Sequence, residues 1–139
     1  MKLNLRFGLP FVSVELIFRG KSMSLDKVLL DTGSASTIFN ANRLDTIGVM
    51  PEGDAVVDAI RGVGGLEYVY TKQLNQLQLD QSFLVNFQVE IGNMDYGIDL
   101  DGIIGFDFIT AAELVIDTKQ LIVYAARNNK SLLLPDQQD

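Results

Sequence analysis

One acidic residue, Asp31, follows directly on an apolar run and precedes small or hydroxylated residues. The stretch reads VLLDTGS from Val28 to Ser34. A carboxylate at the end of an apolar strand is costly to bury and needs hydrogen-bond donors. Thr32 and Ser34 carry hydroxyls, and Gly33 offers an N–H without a Cβ, so another group can approach closely. These residues fit an acid–base group, although taken alone an Asx turn explains them more simply.

The chain of 139 residues contains neither histidine nor cysteine. Their absence from the sequence excludes Ser-His-Asp and Cys-His nucleophiles, as well as disulfides and thiolate or imidazole zinc sites. Acid–base catalysis would therefore have to use carboxylates, lysines or tyrosines.

The charge of the chain argues against nucleic acid as a partner. The net charge is −7, and the 11 lysines and arginines are scattered, whereas a phosphate backbone attracts a clustered basic surface. No segment approaches the ~20 apolar residues of a membrane-spanning helix, and the first residues lack the pattern of a signal peptide. We therefore favour a cytoplasmic location, while a fragment of a longer, anchored protein stays open.

Alternation of apolar and polar residues predicts strands along most of the chain. In residues 11–18 every second residue from Val12 is apolar, which is typical of a half-buried strand. We see no repeat and no linker, so we expect a single all-β, barrel-like domain over residues 1–139. The expected strands are residues 11–18, 24–30, 37–39, 55–60, 66–73, 74–79, 83–91, 102–104 and 121–125. A short helix is expected within residues 40–48, with Asn40 or Asn42 as its N-cap and Gly48 as its stop, and another helix is expected at residues 108–114.

Several motifs, taken in order, resemble those of the retropepsin-like aspartic proteases, the single-domain relatives of pepsin. The signature of that family is an apolar run followed by Asp-Thr/Ser-Gly-Ala/Ser, and residues 28–34 match it in full. A hairpin precedes the signature, and a second, glycine-rich hairpin, RGVGGL at residues 61–66, lies where the family has its flap. The resemblance covers roughly residues 10–125. It implies a closed β-barrel with a flap and one short C-terminal helix.

The element DGIIG at residues 101–105 corresponds to the strand that this family threads through the loop of the catalytic aspartate. The resemblance therefore places Ile103, Ile104 and Gly105 near the site as structural residues. Asp107 follows them, and we expect it to cap the helix rather than to act in catalysis.

The resemblance also assigns a flap that folds over an extended peptide. Its residues would be Gly62, Val63, Gly64, Gly65 and Leu66, whose backbone groups would bind the substrate as an added strand. An ordinary hairpin is the alternative reading of the same residues.

Peptide hydrolysis in this family needs two carboxylates, and the chain contains a single Asp-Thr/Ser-Gly motif. The resemblance therefore implies a homodimer in which each protomer contributes Asp31 and a water molecule attacks a peptide or protein substrate, with no metal or cofactor. Thr32 would hydrogen-bond across the two-fold axis. Gly33 would present its N–H to the carboxylates, and Ser34 would hydrogen-bond the outer carboxylate oxygen.

Two other functions stay open beside the peptidase. A catalytically silent retropepsin-like module could serve dimerisation or protein binding, and a plain barrel could carry Asp31 in an Asx turn. Asp95, Asp99 and Asp101 do not have the spacing of a calcium loop, so we interpret them as solvated acids of a turn. By the resemblance, residues 1–9 and 130–134 are candidates for the dimer interface.

Overall fold

A computed structural model describes residues 1–53, 57–62 and 65–126, with the backbone alone described for 57–62 and 65–67. No helix among these residues is both long enough and apolar enough to cross a membrane. The strands are β1 Asn4–Arg6, β2 Leu9–Phe18, β3 Lys21–Leu30, β4 Ile38–Asn40, β5 Val57–Gly62, β6 Gly65–Leu79, β7 Ser82–Gly92, β8 Gly102–Ile104, β9 Leu114–Asp117 and β10 Ile122–Ala125. The helices are α1 Ala41–Leu44, which continues into a 3₁₀ turn at Asp45–Ile47, and α2 Phe106–Ala111.

Six strands form a closed ring. Their hydrogen-bonded order is β2-β3-β8-β4-β7-β6, and β6 pairs again with β2 through residues 76–78 and 15–17. The short strand β1 adds to β2, β5 adds to β6, and β9 and β10 form a separate antiparallel pair. This architecture confirms the all-β barrel of the aspartic protease type.

The core follows the alternation seen in the sequence. Val12, Val14, Leu16 and Phe18 of β2 are each at most 4% exposed, because every second side chain of a strand points to the same face. Phe108 of α2 also lies in this core, in edge-to-face contact with Phe87 at 5.6 Å between ring centroids.

A second apolar cluster lies outside the main core. Its buried members are Phe11, Ile38, Val69, Met94, Leu100 and Ile103, and Leu29 packs against it. Val28 and Leu30 belong to the main core, so the end of β3 has apolar packing on both faces. This packing on both faces explains why the residues directly before Asp31 are all apolar.

The first helix begins and ends where the sequence indicates. The Asn40 side chain accepts a hydrogen bond from the N–H of Asn42 at 2.9 Å, and the 3₁₀ turn ends at Gly48, whose φ is +87°. This is the left-handed conformation that glycine adopts without strain.

The largest differences from the expected element boundaries are in β6 and α2. β6 is one strand over residues 65–79, because its antiparallel pairing with β7 keeps a single register from Val69 to Leu79 and skips one position, at Asn75 and Asn86. Helix α2 begins at Phe106 rather than near Phe108. It ends at Ala111, because Glu113 takes a φ of 55° and turns the chain into β9, a strand that the sequence did not indicate.

Candidate active site

Asp31 is the first residue after β3, and its half-buried position is held by its own loop and by β8. Its N–H donates to the Ile104 carbonyl at 3.0 Å, and its Oδ1 accepts the Gly33 N–H at 2.9 Å. The hydrogen bond from the Gly33 N–H to Oδ1 forms an Asx turn, so the turn that explains the motif without catalysis is also formed. No described residue donates a hydrogen bond to Oδ2. The carboxylate therefore has one oxygen engaged and one oxygen that the described chain leaves open.

Strand β8 lies between the two strands that flank the Asp31 loop. It runs parallel to β3, with Leu30 opposite Ile104, and antiparallel to β4, with Ile38 opposite Ile103. The loop is thus bridged by a strand that is distant in sequence. Ile103 and Ile104 are the residues of β8 that pair with these two flanking strands.

Gly105 leaves β8 against the backbone of the Asp31 loop. A Cβ at this position would lie 2.5 Å from the Ser36 carbonyl oxygen and 2.9 Å from that of Ser34. Only glycine fits here, because the atoms that a side chain would meet belong to the backbone and cannot rotate away. Glycine is required here because of the limited space and not because of the backbone conformation, since the φ of Gly105, −92°, is one that other residues also adopt.

A buried threonine and the first turn of α2 complete the support of the loop. The Thr37 hydroxyl accepts the Gly105 N–H at 3.0 Å and donates to Asp107 Oδ1 at 2.8 Å. The Thr37 N–H donates to Asp107 Oδ2 at 3.1 Å, and Asp107 Oδ1 also accepts the Phe108 N–H at 2.7 Å. Gly105 is the N-cap residue and Phe106 is the first residue of α2, so Asp107 is the second residue of the helix. Its carboxylate ties the helix to the loop, which differs from the capping role expected.

Sequence reasoning missed Thr37. The residue is fully buried, at 0% exposure, and its partners are separated from it by about 70 residues of chain. The only signal in the sequence was its position as the first residue of the strand expected after the Asp31 loop.

The two hydroxyl residues of the motif do not contact the carboxylate in the single chain. The Ser34 hydroxyl donates to the Ser36 carbonyl at 2.8 Å instead of to Asp31. This corrects the expectation for Ser34, because the nearby backbone acceptor satisfies its hydroxyl. Thr32 is exposed, and no described residue hydrogen-bonds its hydroxyl.

The expected flap corresponds to the β5–β6 hairpin. The last described pair of the two arms is Gly62 opposite Gly65, preceded by Arg61 opposite Leu66. Val63 and Gly64, which would form its tip, lie outside the described residues. From Val69 onwards β6 also pairs with β7, whereas the described backbone before Val69 pairs with β5 alone. The outer part of the hairpin is thus two-stranded.

Asp101 is not the solvated acid that we expected. It is 3% exposed, and its carboxylate accepts Arg43 Nη1 at 3.1 Å and the Lys27 N–H at 3.2 Å. Its backbone N–H donates to the Lys27 carbonyl at 2.8 Å, so the residue joins the start of β8 to β3. The tertiary fold buries Asp101 because a cation and two strands meet there.

Asp99 is a surface acid, as expected. Lys27 Nζ donates to it at 2.6 Å, and this hydrogen bond, together with the charge of Lys27, lowers the pKa of Asp99. Among the described residues no three or more aspartates and glutamates come together as a group that could hold a metal ion.

The N-terminus is paired within its own chain. Leu3 N–H donates to the Leu121 carbonyl at 2.8 Å, and Met1 exchanges backbone hydrogen bonds with Val123 at 2.9 Å in each direction. Residues 4–6 then pair with β2. Residues 130–134, the other candidate for the interface, lie outside the described part of the chain.

Comparison with known families agrees with this geometry. The family model "Aspartyl protease" matches residues 14–108, more than half of the 139-residue chain, from β2 into α2. The match includes the Asp31 loop and the strand β8 that bridges it. No curated protein matches the chain significantly. The chain belongs to a retropepsin-like family of aspartyl proteases.

Proposed function

We propose that the protein is an aspartic endopeptidase that is active as a homodimer. The observation that carries the proposal is Asp31, held at the end of β3 by Gly33 N–H and the Ile104 carbonyl in a chain of the aspartyl protease family. One carboxylate oxygen is engaged, and the other is left open by the described residues for water or for a second acid.

A second copy supplies the second carboxylate. Peptide hydrolysis requires a base that takes a proton from water and an acid that gives a proton to the scissile carbonyl. The sequence has one Asp-Thr-Gly motif, so a two-fold axis between protomers would bring two Asp31 side chains together. Two carboxylates at hydrogen-bond distance share one proton, because both cannot ionise so close together.

The reaction needs the two carboxylates and one water molecule. The ionised Asp31 takes a proton from the water, whose oxygen bonds to the carbonyl carbon, while the protonated Asp31 gives its proton to the carbonyl oxygen. The resulting gem-diol then loses a hydroxyl proton to the newly ionised carboxylate. The other carboxyl group protonates the amide nitrogen as the C–N bond breaks. An acid and an amine leave, and the dyad again holds one proton.

The β5–β6 hairpin would cover the substrate. Its outer part is two-stranded, and a hairpin of this kind needs further packing to be stable. An extended peptide between this hairpin and the Asp31 loops could supply that packing. In this proposal Gly62, Val63, Gly64, Gly65 and Leu66 face the peptide, and their closure excludes water.

Substitution of Asp31 tests the proposal. Asp31→Asn keeps the side-chain shape and its Oδ1 acceptor but cannot act as the base, so cleavage of a mixed peptide library should fall at least about 10³-fold. Asp26→Asn is the matched control, since this exposed acid lies earlier on the same strand. Circular dichroism and sedimentation should show unchanged fold and dimer for both variants.

The possible outcomes separate the peptidase from a binding module. Cleavage by Asp31→Asn at the wild-type rate would refute the catalytic assignment. A wild-type protein that is dimeric but cleaves nothing in the library would favour the silent dimerisation or binding module.

A further inference from the structure

Phe106 is an aromatic side chain left at the surface beside the Asp31 loop. It is 49% exposed, and its N–H donates to the Ser34 carbonyl at 2.7 Å. Aromatic side chains are frequent anchors of protein–protein contacts.

The structure couples Phe106 to the Asp31 loop. Gly105, the preceding residue, is in close contact with the backbone of Ser34 and Ser36 and donates its N–H to Thr37. The backbone of Phe106 therefore lies against the loop that carries Asp31, which is the loop that a partner would meet in order to pair the two carboxylates.

The surface around Asp31 favours contact with a second copy. Thr32, Gly33 and Ala35 are exposed, and no residue from 32 to 36 carries a charge. The chain as a whole has a net charge of −7, so two copies repel each other at low salt. Residues 32–36 and the aromatic side chain of Phe106 add no charge of their own to a contact in which the two Asp31 side chains share one proton.

The N-terminal segment is a weaker candidate for this contact. The backbone groups of Met1 and Leu3 are already hydrogen-bonded to Leu121 and Val123 of the same chain. A partner strand could pair with them only after these bonds break or on the opposite edge.

We infer that Phe106 anchors the contact between two copies of this chain, packing against the partner beside the paired Asp31 loops. The inference rests on the proposed function, because the second copy completes the catalytic pair. It goes further by assigning the main apolar contact to the first residue of α2.

A charge at this position tests the inference. In Phe106→Glu two carboxylates would face the interface, and the dimer dissociation constant from sedimentation equilibrium should rise at least about tenfold. The matched control is Phe83→Glu. Phe83 is 41% exposed and lies near the start of β7. The other end of this strand is the one next to the Asp31 loop, because the Glu90 N–H donates to the Thr37 carbonyl there.

A kinetic readout separates assembly from chemistry. The cleavage rate per protomer of Phe106→Glu should be low in dilute protein and should approach the wild-type rate as the concentration of the variant is raised. KM should stay close to the wild-type value once the dimer has formed.

Three results would overturn the inference. An unchanged dissociation constant for Phe106→Glu, with an active wild-type dimer, would refute the anchor and leave the peptidase intact. A raised KM with an unchanged dimer would instead assign Phe106 to the substrate. A wild-type protein that stays monomeric at every concentration would overturn both this inference and the homodimeric peptidase.

Discussion

The Asp31 loop and the β5–β6 hairpin are held in opposite ways. Around Asp31 the contacts are buried, with the Thr37 hydroxyl, the Gly105 N–H and the Asp107 carboxylate in one network. Near the hairpin base the contacts are charges at the surface. Glu52 is half exposed, and it is bound by the exposed Arg19 at 2.8 Å and by Lys72, whose side chain is 11% exposed, at 2.7 Å. Lys72 belongs to β6, and Glu52 precedes β5 in the chain.

The difference matters because the two kinds of contact respond differently to strain. A buried hydrogen bond that loses its partner leaves an unsatisfied group, which costs ~1–3 kcal/mol. An exposed ion pair is partly replaced by water and salt, so its loss costs little. The Asp31 loop is therefore held by buried hydrogen bonds, whereas the Arg19–Glu52 ion pair near the hairpin base is easily replaced. The pairing of β6 with β7 and the buried side chains of Val69 and Tyr70 hold the rest of the base. In the proposed peptidase, Asp31 would stay in register while the outer part of the hairpin opens and closes.

The largest effect is expected from Gly105→Ala. The added methyl group meets backbone oxygens at 2.5 and 2.9 Å, so β8 and the Asp31 loop must separate. Urea denaturation at fixed protein concentration should show a loss of about 3 kcal/mol in unfolding free energy, with cleavage lost as well.

The control for Gly105→Ala is Gly20→Ala. Gly20 lies in the turn before β3 with φ +82°, and a Cβ there meets no atom within 4 Å, so only backbone strain of about 1–2 kcal/mol is expected. If the two variants lose the same stability and Gly105→Ala keeps its activity, the close packing at the Asp31 loop is not required.

Thr37→Val should have an intermediate effect. Valine keeps the shape of threonine but removes the hydroxyl, which leaves the Gly105 N–H and one Asp107 oxygen without this partner. The unfolding free energy should fall by about 2 kcal/mol, measured in urea beside Thr46→Val. The Thr46 hydroxyl is exposed and, among the described residues, binds only the Arg43 carbonyl, so its loss should cost under about 0.5 kcal/mol. Equal losses would show that burial of the Thr37 network adds nothing.

The smallest effect is expected at Glu52. Hydrogen bonds from Arg19 and then Lys72 lower the pKa of Glu52 to about 2. Since its pKa is higher in the unfolded chain, the stabilisation is complete above about pH 4.5 and is lost as pH falls towards 2. Glu52→Gln should lower the melting temperature slightly at neutral pH, and the difference from wild type should shrink on acidification and in about 1 M salt.

Glu15→Gln is the control for Glu52→Gln, because Glu15 is an exposed acid of β2 that forms no ion pair with a described residue. Calorimetric scans across pH would measure the melting temperatures of both variants and of the wild type. A large, salt-independent loss in Glu52→Gln would contradict the view that the ion pairs of Glu52 are weak contacts.

Much of the fold could be predicted because its signals are local. Alternation in residues 11–18 indicated which side chains of β2 enter the core, and Asn40 and Gly48 marked the ends of the first helical segment. The apolar run before Asp31 marked the point where β3 ends at the site. The boundaries of α2 were misplaced, because the chain reversal at Glu113 uses a conformation that its residue type does not indicate.

The contacts that position the carboxylate could not be predicted from local patterns. Thr37, Asp101 and Asp107 look like ordinary polar residues in the sequence, and only the folded chain shows which of them is buried and with what partner. Their partners lie about 60–75 residues away along the chain.

By itself, then, the sequence determined that one carboxylate, Asp31, stands at the end of a core strand in a chain without histidine or cysteine. The tertiary structure decided what holds it: strand β8, the space at Gly105 and the buried pair of Thr37 and Asp107. The reason is physical. Strand period and turn preference are set by neighbouring residues, whereas burial and hydrogen-bond partners are set by segments that meet only when the barrel closes.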